Sequence, residues 1–352
     1  MAEGRLGAMS AERMTGLSLE LSSLCQLECP LCVRRTIAAD YPSQAMSAET
    51  LAAVLPCLSG LESLDLTGWG EPLLHPRFAE ILAQIRRSFS GRLTFTTNGL
   101  LFQREQIEAV VEQGVDVICV SVDAARPESY ERIRPGGDFN RLLQNLRDLV
   151  SFRQAQGASR PQVFALFLLR REALDELPEF VRLMQSLGLD GVVFQQLAGV
   201  FSEAHLSRIT YTEYYRSDFD PALLKQSLAQ ARAEAKPGLI VAGPERVRRF
   251  RGHGCGGFDV HKPFITAGGE VSVCCQMAYP VSLMRKSGQL VFTPSLTFGR
   301  LTEEPLPSIW SKPAYAEVRR QILAGENSAA CAECIGLYLE PAIYGQEPPE
   351  KR

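Results

Sequence analysis

Apolar positions along the chain alternate between two patterns. Short runs at 17–24, 61–66, 93–97, 115–122, 163–169 and 191–197, dense in apolar residues, read as strands. Between them, apolar residues recur at three- and four-residue steps over 48–58, 76–87, 104–113, 139–153 and 174–187, the spacing of a helix packed on one face. Six strand units at roughly 30–40-residue intervals, each but the last followed by helix-like sequence, predict an α/β fold with a parallel sheet. In such folds chemistry gathers at the C-terminal ends of the strands. The polar, Gly-rich segments 67–72, 96–99 and 121–123 fall there.

Beyond about residue 201 the pattern changes. The polar and aromatic stretch 202–221 predicts a linker or a loop covering substrate, and 222–235 a helix. Gly density rises from residue 251, and 261–275 predicts a β-hairpin turning at Ala267-Gly268-Gly269. A helix is expected over 307–323 and a loose tail over 341–352.

The 352 residues suffice for about two domains. Apolar residues at 45% and charged residues at 22% exclude a wholly disordered chain. A net charge of −3, from 37 basic and 40 acidic side chains, implies no broad attraction to nucleic acid. No apolar run reaches the ~18–20 residues that cross a bilayer. The first twenty residues lack the apolar core of a signal peptide, so a cytoplasmic location is expected. In that compartment ten cysteines point to metal binding or catalysis rather than to disulfides.

Their distribution carries the argument. Cys25, Cys29 and Cys32 follow the first strand on one loop, spaced to ligate three corners of an iron–sulfur cluster and leave one iron open. Zinc is the competing reading, but it wants a fourth ligand close by and none is evident. The C-x3-C-x-Φ-C pattern, with Leu31 at Φ, resembles the signature of the radical S-adenosylmethionine (SAM) superfamily. That resemblance implies a partial (β/α)6 TIM-like barrel, a [4Fe–4S] cluster whose open iron chelates SAM, and cleavage of SAM to a 5′-deoxyadenosyl radical.

Other segments add to the resemblance. Gly68-Trp69-Gly70-Glu71-Pro72 resembles the family's GGEP loop, whose backbone receives the SAM amino group, with Trp69 as the departure. Thr97-Asn98-Gly99 resembles its TNG turn. Ser121 and Asp123 close strand four on one face, where the family's serine contacts SAM. In Tyr130-Glu-Arg-Ile-Arg134 the resemblance makes Arg134 the partner of the SAM carboxylate, against the plainer reading of a surface arginine. Gln195 and Gln196 end strand six, and one of them should point inward; Gln195 is assigned to the cofactor site.

Cys255, Cys274, Cys331 and Cys334, with Gly269 five residues before Cys274, resemble the SPASM and twitch auxiliary-cluster domains. Four such cysteines imply the shorter, twitch-type form, a small Fe–S domain with a β-hairpin and a helix that holds one auxiliary [4Fe–4S] cluster. Structural zinc is the alternative, and Cys275 could stand in for Cys274. Four thiolates close every iron of a cluster, which disfavours binding of substrate to it, as in molybdopterin-type twitch enzymes, and favours electron transfer. The implied organisation is a lead-in (1–16), a barrel (17–200), a linker or lid (201–250), an auxiliary domain (251–340) and a tail (341–352).

Two residues outside these sets are candidate catalytic groups. Cys119, on the interior face of strand four, could donate a hydrogen atom, although small buried thiols usually only pack. Arg170, ending strand five, could bind substrate or face solvent. The layout resembles aminocyclitol dehydrogenases, so oxidation of a small hydroxylated substrate is expected, with an external donor such as flavodoxin or ferredoxin. Maturation of a ribosomal peptide is the second expectation. It is weakened by a first strand starting near Leu17, which leaves no room for a peptide-recognition domain.

Overall fold

In the computed structural model the described residues are 13–37, 39, 42–197, 199–210, 218–244, 259–285, 287–324, 326, 331 and 334. The chain runs β1 (Gly16–Leu19), α1 (Ala48–Val54), β2 (Ser63–Asp65), α2 (Phe78–Ser88), β3 (Arg92–Thr97), α3 (Arg104–Glu112), β4 (Val117–Ser121), α4 (Pro127–Ile133), α5 (Phe139–Ala155), β5 (Gln162–Leu168), α6 (Leu177–Ser186) and β6 (Gly191–Gln195). It continues with α7 (Glu203–Leu206), α8 (Pro221–Ala233), β7 (Ile240–Ala242), β8 (Phe264–Ile265), β9 (Glu270–Ser272), β10 (Val281–Met284), β11 (Leu290–Thr293), β12 (Thr297–Arg300), α9 (Leu306–Trp310) and α10 (Pro313–Leu323).

Strands β1 to β7 pair in parallel in chain order, the sheet of a partial TIM-like barrel. Their outward residues, among them Leu64, Phe95, Ile118, Val120, Phe167 and Phe194, meet the apolar faces of the helices in one core. Phe167 and Phe180 contact edge to face at 4.9 Å between ring centres, and complete burial of each such ring contributes about 2–3 kcal/mol. Helix α5 starts on Asp138, whose carboxylate accepts from the Arg141 N–H at 3.0 Å, a cap contributing about 1 kcal/mol.

Six parallel strands were expected, and β7 makes a seventh. Its three residues lie just after the turn at Gly238, too short a run to show a period, and pairing with β6 makes it a strand. Within the stretch 201–250 lie α7, α8, which is the helix expected over 222–235, and β7. The hairpin expected over 261–275 is β8–β9, with Gly269 at φ +88° in its turn. Its β8 pairs in parallel with β1, so it extends the barrel sheet, and β12 adds antiparallel to β9. The single helix expected over 307–323 is two, α9 and α10, parted at Ser311-Lys312 ahead of Pro313. The separate β10–β11 hairpin and helix α4 were not foreseen.

Candidate functional site

The first cysteine loop leaves β1 and is pinned along its length. Ser23 N–H donates to the Gln44 carbonyl (2.9 Å), Met46 N–H to the Leu21 carbonyl (2.8 Å) and Glu71 N–H to the Leu24 carbonyl (2.7 Å). Leu27 is buried in the main core, and Leu31 in a second cluster with Ile133, Val200 and Met284. These two anchors leave Cys25, Cys29 and Cys32 partly exposed on the loop. Burial, with the neighbouring thiols adding to it, raises the pKa of Cys25 and pushes that of Cys29 up to about 11. Three thiols whose negative charges disfavour one another suit a cationic iron centre, which would hold them all as thiolates.

The Gly68–Gly70 loop lies directly against this segment. A Cβ on Gly70 would stand 2.0 Å from the Ser22 carbonyl oxygen, and one on Gly68 2.2 Å from the Glu20 side chain, so only glycine permits the approach. The result is a close approach of the Gly68–Gly70 backbone to the segment that leads into the cysteines, where the Trp69 N–H is taken by Glu20. Glu71 itself turns inward. One carboxylate oxygen accepts from Leu73 N–H (3.0 Å) and the Thr97 hydroxyl (2.6 Å), the other from Asn98 N–H (2.7 Å). Glu71 and Thr97 thus act as a strut that sets the end of β3, and the Thr97 hydroxyl oxygen also accepts from Gly99 N–H (3.0 Å). Asn98, held by Gln26 through mutual amide bonds of 3.1 and 3.2 Å, reaches 4.0 Å from Cys25 Sγ.

The fourth strand ends in a strained residue. Asp123 has φ +64°, uncommon for a residue with a side chain. One of its oxygens accepts from Leu168 N–H (2.6 Å), and the other takes Nε (3.0 Å) and Nη2 of Arg134. The third guanidinium nitrogen, Nη1, lies 3.8 Å from Cys29 Sγ. Arg134 is therefore no surface arginine: it is largely shielded at the cysteine loop, its orientation set by Asp123. Ser121 ends β4 on the same face as Cys119, and Gln195 ends β6 opposite the helix-facing Phe194. Gln196 points elsewhere, accepting from the Thr210 hydroxyl at 2.7 Å.

One expectation needs correction. Arg170 is not a substrate-facing cation: it is buried, donating to the carbonyls of Leu168 and Asp123 at 2.9 Å each, and stacks over Phe167. Cys119 does face the barrel interior, but inside an apolar layer of Val117, Leu166, Val193 and Ala242. Burial keeps its thiol protonated.

The interior has two unlike walls. Strands β4 to β7 supply that apolar layer, whereas β2 and β3 present Asp65, Thr94 and Thr96 opposite the core-facing Leu64 and Phe95. Asp65 accepts from the Thr67 hydroxyl at 2.6 Å, and burial raises its pKa. Asp65, Gln26 and Glu20 were missed in the sequence. A lone carboxylate inside the apolar run Leu-Ser-Leu-Glu-Leu was the available signal for Glu20.

The C-terminal cysteines lie beyond β9. Cys274 and Cys331 pack against the core that contains Tyr315, and Cys274 lies within electrostatic reach of the Tyr315 hydroxyl. Cys275 packs against a different cluster, that of Phe264 and Tyr279, where burial and the charges of Glu20, Asp65 and Cys334 hold its thiol far above its ordinary pKa. Trp69 also faces this region, and its indole N–H donates to the Cys275 carbonyl at 3.0 Å. Cys334 N–H donates to the Cys331 carbonyl in a tight turn (3.0 Å). Cys255 lies outside the described residues, as does the tail.

Residues 19–193 match the model of the Radical SAM superfamily, and residues 255–335 that of SPASM, an iron–sulfur cluster-binding domain. Among curated proteins, the tungsten-containing aldehyde ferredoxin oxidoreductase cofactor-modifying protein of Pyrococcus furiosus is 26% identical over 189 residues, 52% of either chain. GTP 3′,8-cyclase of Chlorobaculum tepidum is 30% identical over 171 residues, 47% of this chain and 48% of the enzyme. The chain thus spans about half the length of the curated relatives it matches. Among solved structures, Streptococcus suis SuiB bound to S-adenosylmethionine has a TM-score of 0.63 at 13% identity, covering 88% of this chain and 68% of that one. The structure of anSMEcpe with bound AdoMet has a TM-score of 0.59 at 13% identity, covering 94% of both. At such identities the likeness shows the shared fold. No helix of the described residues is long and apolar enough to cross a membrane.

Proposed function

The chain is a radical SAM protein with a SPASM-type iron–sulfur domain behind its barrel, and from that premise we propose that it oxidises a small hydroxylated substrate of the sugar or aminocyclitol kind. The radical SAM domain implies a [4Fe–4S] cluster and SAM, and the SPASM domain implies auxiliary iron–sulfur binding. Once bound, these groups supply reductive cleavage of SAM, removal of a substrate hydrogen atom by the resulting 5′-deoxyadenosyl radical, and a local acceptor for the substrate's second electron.

The chain's own residues supply the rest. Cys25, Cys29 and Cys32 hold the first cluster, and Cys255, Cys274, Cys331 and Cys334 the single auxiliary one. Arg134, fixed by Asp123 beside Cys29, meets the SAM carboxylate, and the Gly68–Gly70 loop receives its amino group. Leu31, Trp69, Glu71, Thr97, Asn98, Ser121 and Gln195 surround the same cofactor space, Glu71, Thr97 and Trp69 as supports. The apolar wall of β4 to β7 excludes water from the radical, while Asp65, Thr94 and Thr96 offer hydrogen-bond partners to hydroxyl groups. A ferredoxin or flavodoxin serves as electron donor.

The observation that carries the radical SAM assignment to named residues is the Arg134 guanidinium held between Asp123 and Cys29. The test incubates reconstituted protein with reductant, SAM and a panel of aminocyclitols and sugars deuterated at their carbinol carbons. Transfer of deuterium to 5′-deoxyadenosine in step with ketone formation is expected; 5′-deoxyadenosine that never carries deuterium, with no ketone from the panel, would sink the reading. One observation favours a peptide substrate instead. Leu290, Val291 and Phe292 of β11 are exposed (53%, 38% and 59%), and among the described residues β11 pairs with β10 alone, an edge open to an extended peptide. Deuterium transfer from a labelled peptide, and none from the alcohols, would select that alternative.

A further inference from the structure

Position 69 is where the SAM loop departs from the two-glycine pattern. The Trp69 ring packs with Phe264, Ala278, Tyr279 and Val281, all contributed by the C-terminal region. Its indole N–H donates to the carbonyl oxygen of Cys275 at 3.0 Å, across 206 positions of sequence. That carbonyl belongs to the residue following Cys274, one of the proposed auxiliary ligands.

The backbone of the same residue is tied to a second bridge. Trp69 N–H donates to one oxygen of Glu20 at 2.8 Å. The other Glu20 oxygen accepts from Ala267 N–H at 3.1 Å and from the hydroxyl of Tyr279. Glu20 is fully buried at the end of β1, and Tyr279 is almost so. A carboxylate taken out of water demands several donors, and here it receives them from three separate segments: the SAM loop, the β8–β9 turn and the chain after Cys275. Gly68 leaves the space the carboxylate fills, since a Cβ there would stand 2.2–2.6 Å from its atoms. Networks of this kind hold their members in one arrangement, because any shift leaves a buried polar group without its partner.

We propose that Trp69, Glu20 and Tyr279 are positioning residues that lock the SAM loop to the auxiliary-cluster loop and so fix the spacing of the two cofactor sites. The proposal rests on the reading of those sites given above, but the bonds that carry it join residues of the chain itself. A reaction that passes an electron between two centres depends on such a fixed spacing, and a SAM loop held from the auxiliary side makes cofactor affinity sensitive to that side.

The test uses Trp69→Phe, which keeps an aromatic ring and removes the indole N–H, and Tyr279→Phe, which removes one hydroxyl. The iron-loaded proteins are measured without substrate, so the result is independent of what the enzyme oxidises. SAM affinity is read by equilibrium dialysis, and the midpoint potential and electron paramagnetic resonance spectrum of the auxiliary cluster by redox titration. Each variant is expected to weaken SAM binding about fivefold and to shift the auxiliary potential and spectrum, the double variant losing less than the product of the singles because the residues share one network. In metal-free protein, Trp310→Phe leaves Trp69 as one of two tryptophans reduced to one. Adding Tyr279→Phe to it should then raise acrylamide quenching of Trp69 about twofold.

Folding alone would be read as a lower melting temperature with SAM affinity, potential and spectrum unchanged in both variants; that result overturns the proposal. Should Trp69→Phe fail to fold, Tyr279→Phe decides by the same readouts. Absence of auxiliary iron from the parent protein counts against the proposed function, and leaves the quenching comparison to decide whether the lock exists.

Discussion

The two cysteine sets are built in opposite ways. Cys25, Cys29 and Cys32 sit on one loop that leaves one strand, and neighbouring strand ends add Arg134, Asn98 and the Gly68–Gly70 backbone around them. The described cysteines of the second set, Cys274, Cys331 and Cys334, come from segments more than fifty residues apart, with β10 to β12, α9 and α10 between them. A local loop can present its ligands once the first strands pair. A site gathered from distant segments depends on the whole C-terminal region being in place, so its chemistry and its folding are harder to separate.

The sharpest break of this comparison is the triple variant Cys25→Ala, Cys29→Ala, Cys32→Ala. SAM cleavage, followed as 5′-deoxyadenosine, should vanish, while iron content falls from about eight to about four per chain if both sites hold four-iron clusters. Persistent reductive cleavage would end the assignment of the first loop. Next in size is Cys331→Ala with Cys334→Ala. Abortive SAM cleavage should continue and oxidised product should disappear, provided a melting curve shows the barrel folded; product formed at the parental rate would show that the second set is no electron acceptor.

A third variant probes the tertiary part of the first site. Arg134→Ala leaves Asp123 buried without its partner, which should cost about 3–5 kcal/mol in chemical denaturation and sharply weaken SAM binding. A loss under about 1 kcal/mol would mean that the ion pair is dispensable.

The fourth prediction concerns the junction between the two regions. Burial, outweighing the donors Tyr279, Ala267, Trp69 and Gly70, raises the pKa of Glu20, so the folded state holds that proton more tightly than the unfolded one. Its contribution is complete below the ordinary carboxylate range and is lost as pH rises through the raised value. Thermal stability should therefore decline over that rise, and Glu20→Gln should flatten part of the slope. Asp65 and Glu71, raised by the same cause, keep the remainder. An unaltered slope in the variant would place the titration elsewhere. The smallest effect is expected from Cys119→Ala, about 1 kcal/mol of stability for a small cavity in the apolar wall, with SAM cleavage intact. Loss of turnover in that folded variant would instead support a hydrogen-donor role.

Much of the barrel was legible in advance because its signals are local. Strands such as β3 and β5 and helices such as α2 and α5 show their period over a single turn or strand, and the three-cysteine loop is contiguous in sequence. What escaped was short or held from afar. Strand β7 has three residues, and its neighbour β6 makes it a strand. The β10–β11 hairpin carries Leu290, Val291 and Phe292 without the polar alternation of a half-buried strand. Arg170 ends a strand where a substrate cation would be useful, and nothing in its neighbours along the chain foretells that it bends back onto the Leu168 and Asp123 carbonyls.

The sequence by itself determined the first six barrel strands and most of the helices between them, the loop that carries Cys25, Cys29 and Cys32, and the residue types available at each strand end, because periodicity and motif spacing act over a few residues. Only the tertiary structure decided that Arg134 lies against that loop, that Glu71 is tied to the end of β3, that Cys274 and Cys275 pack against different apolar clusters, and that Trp69 reaches Cys275. Each of these depends on which buried polar group finds a partner once the strands close around it, and the partners lie up to 259 positions away in the chain.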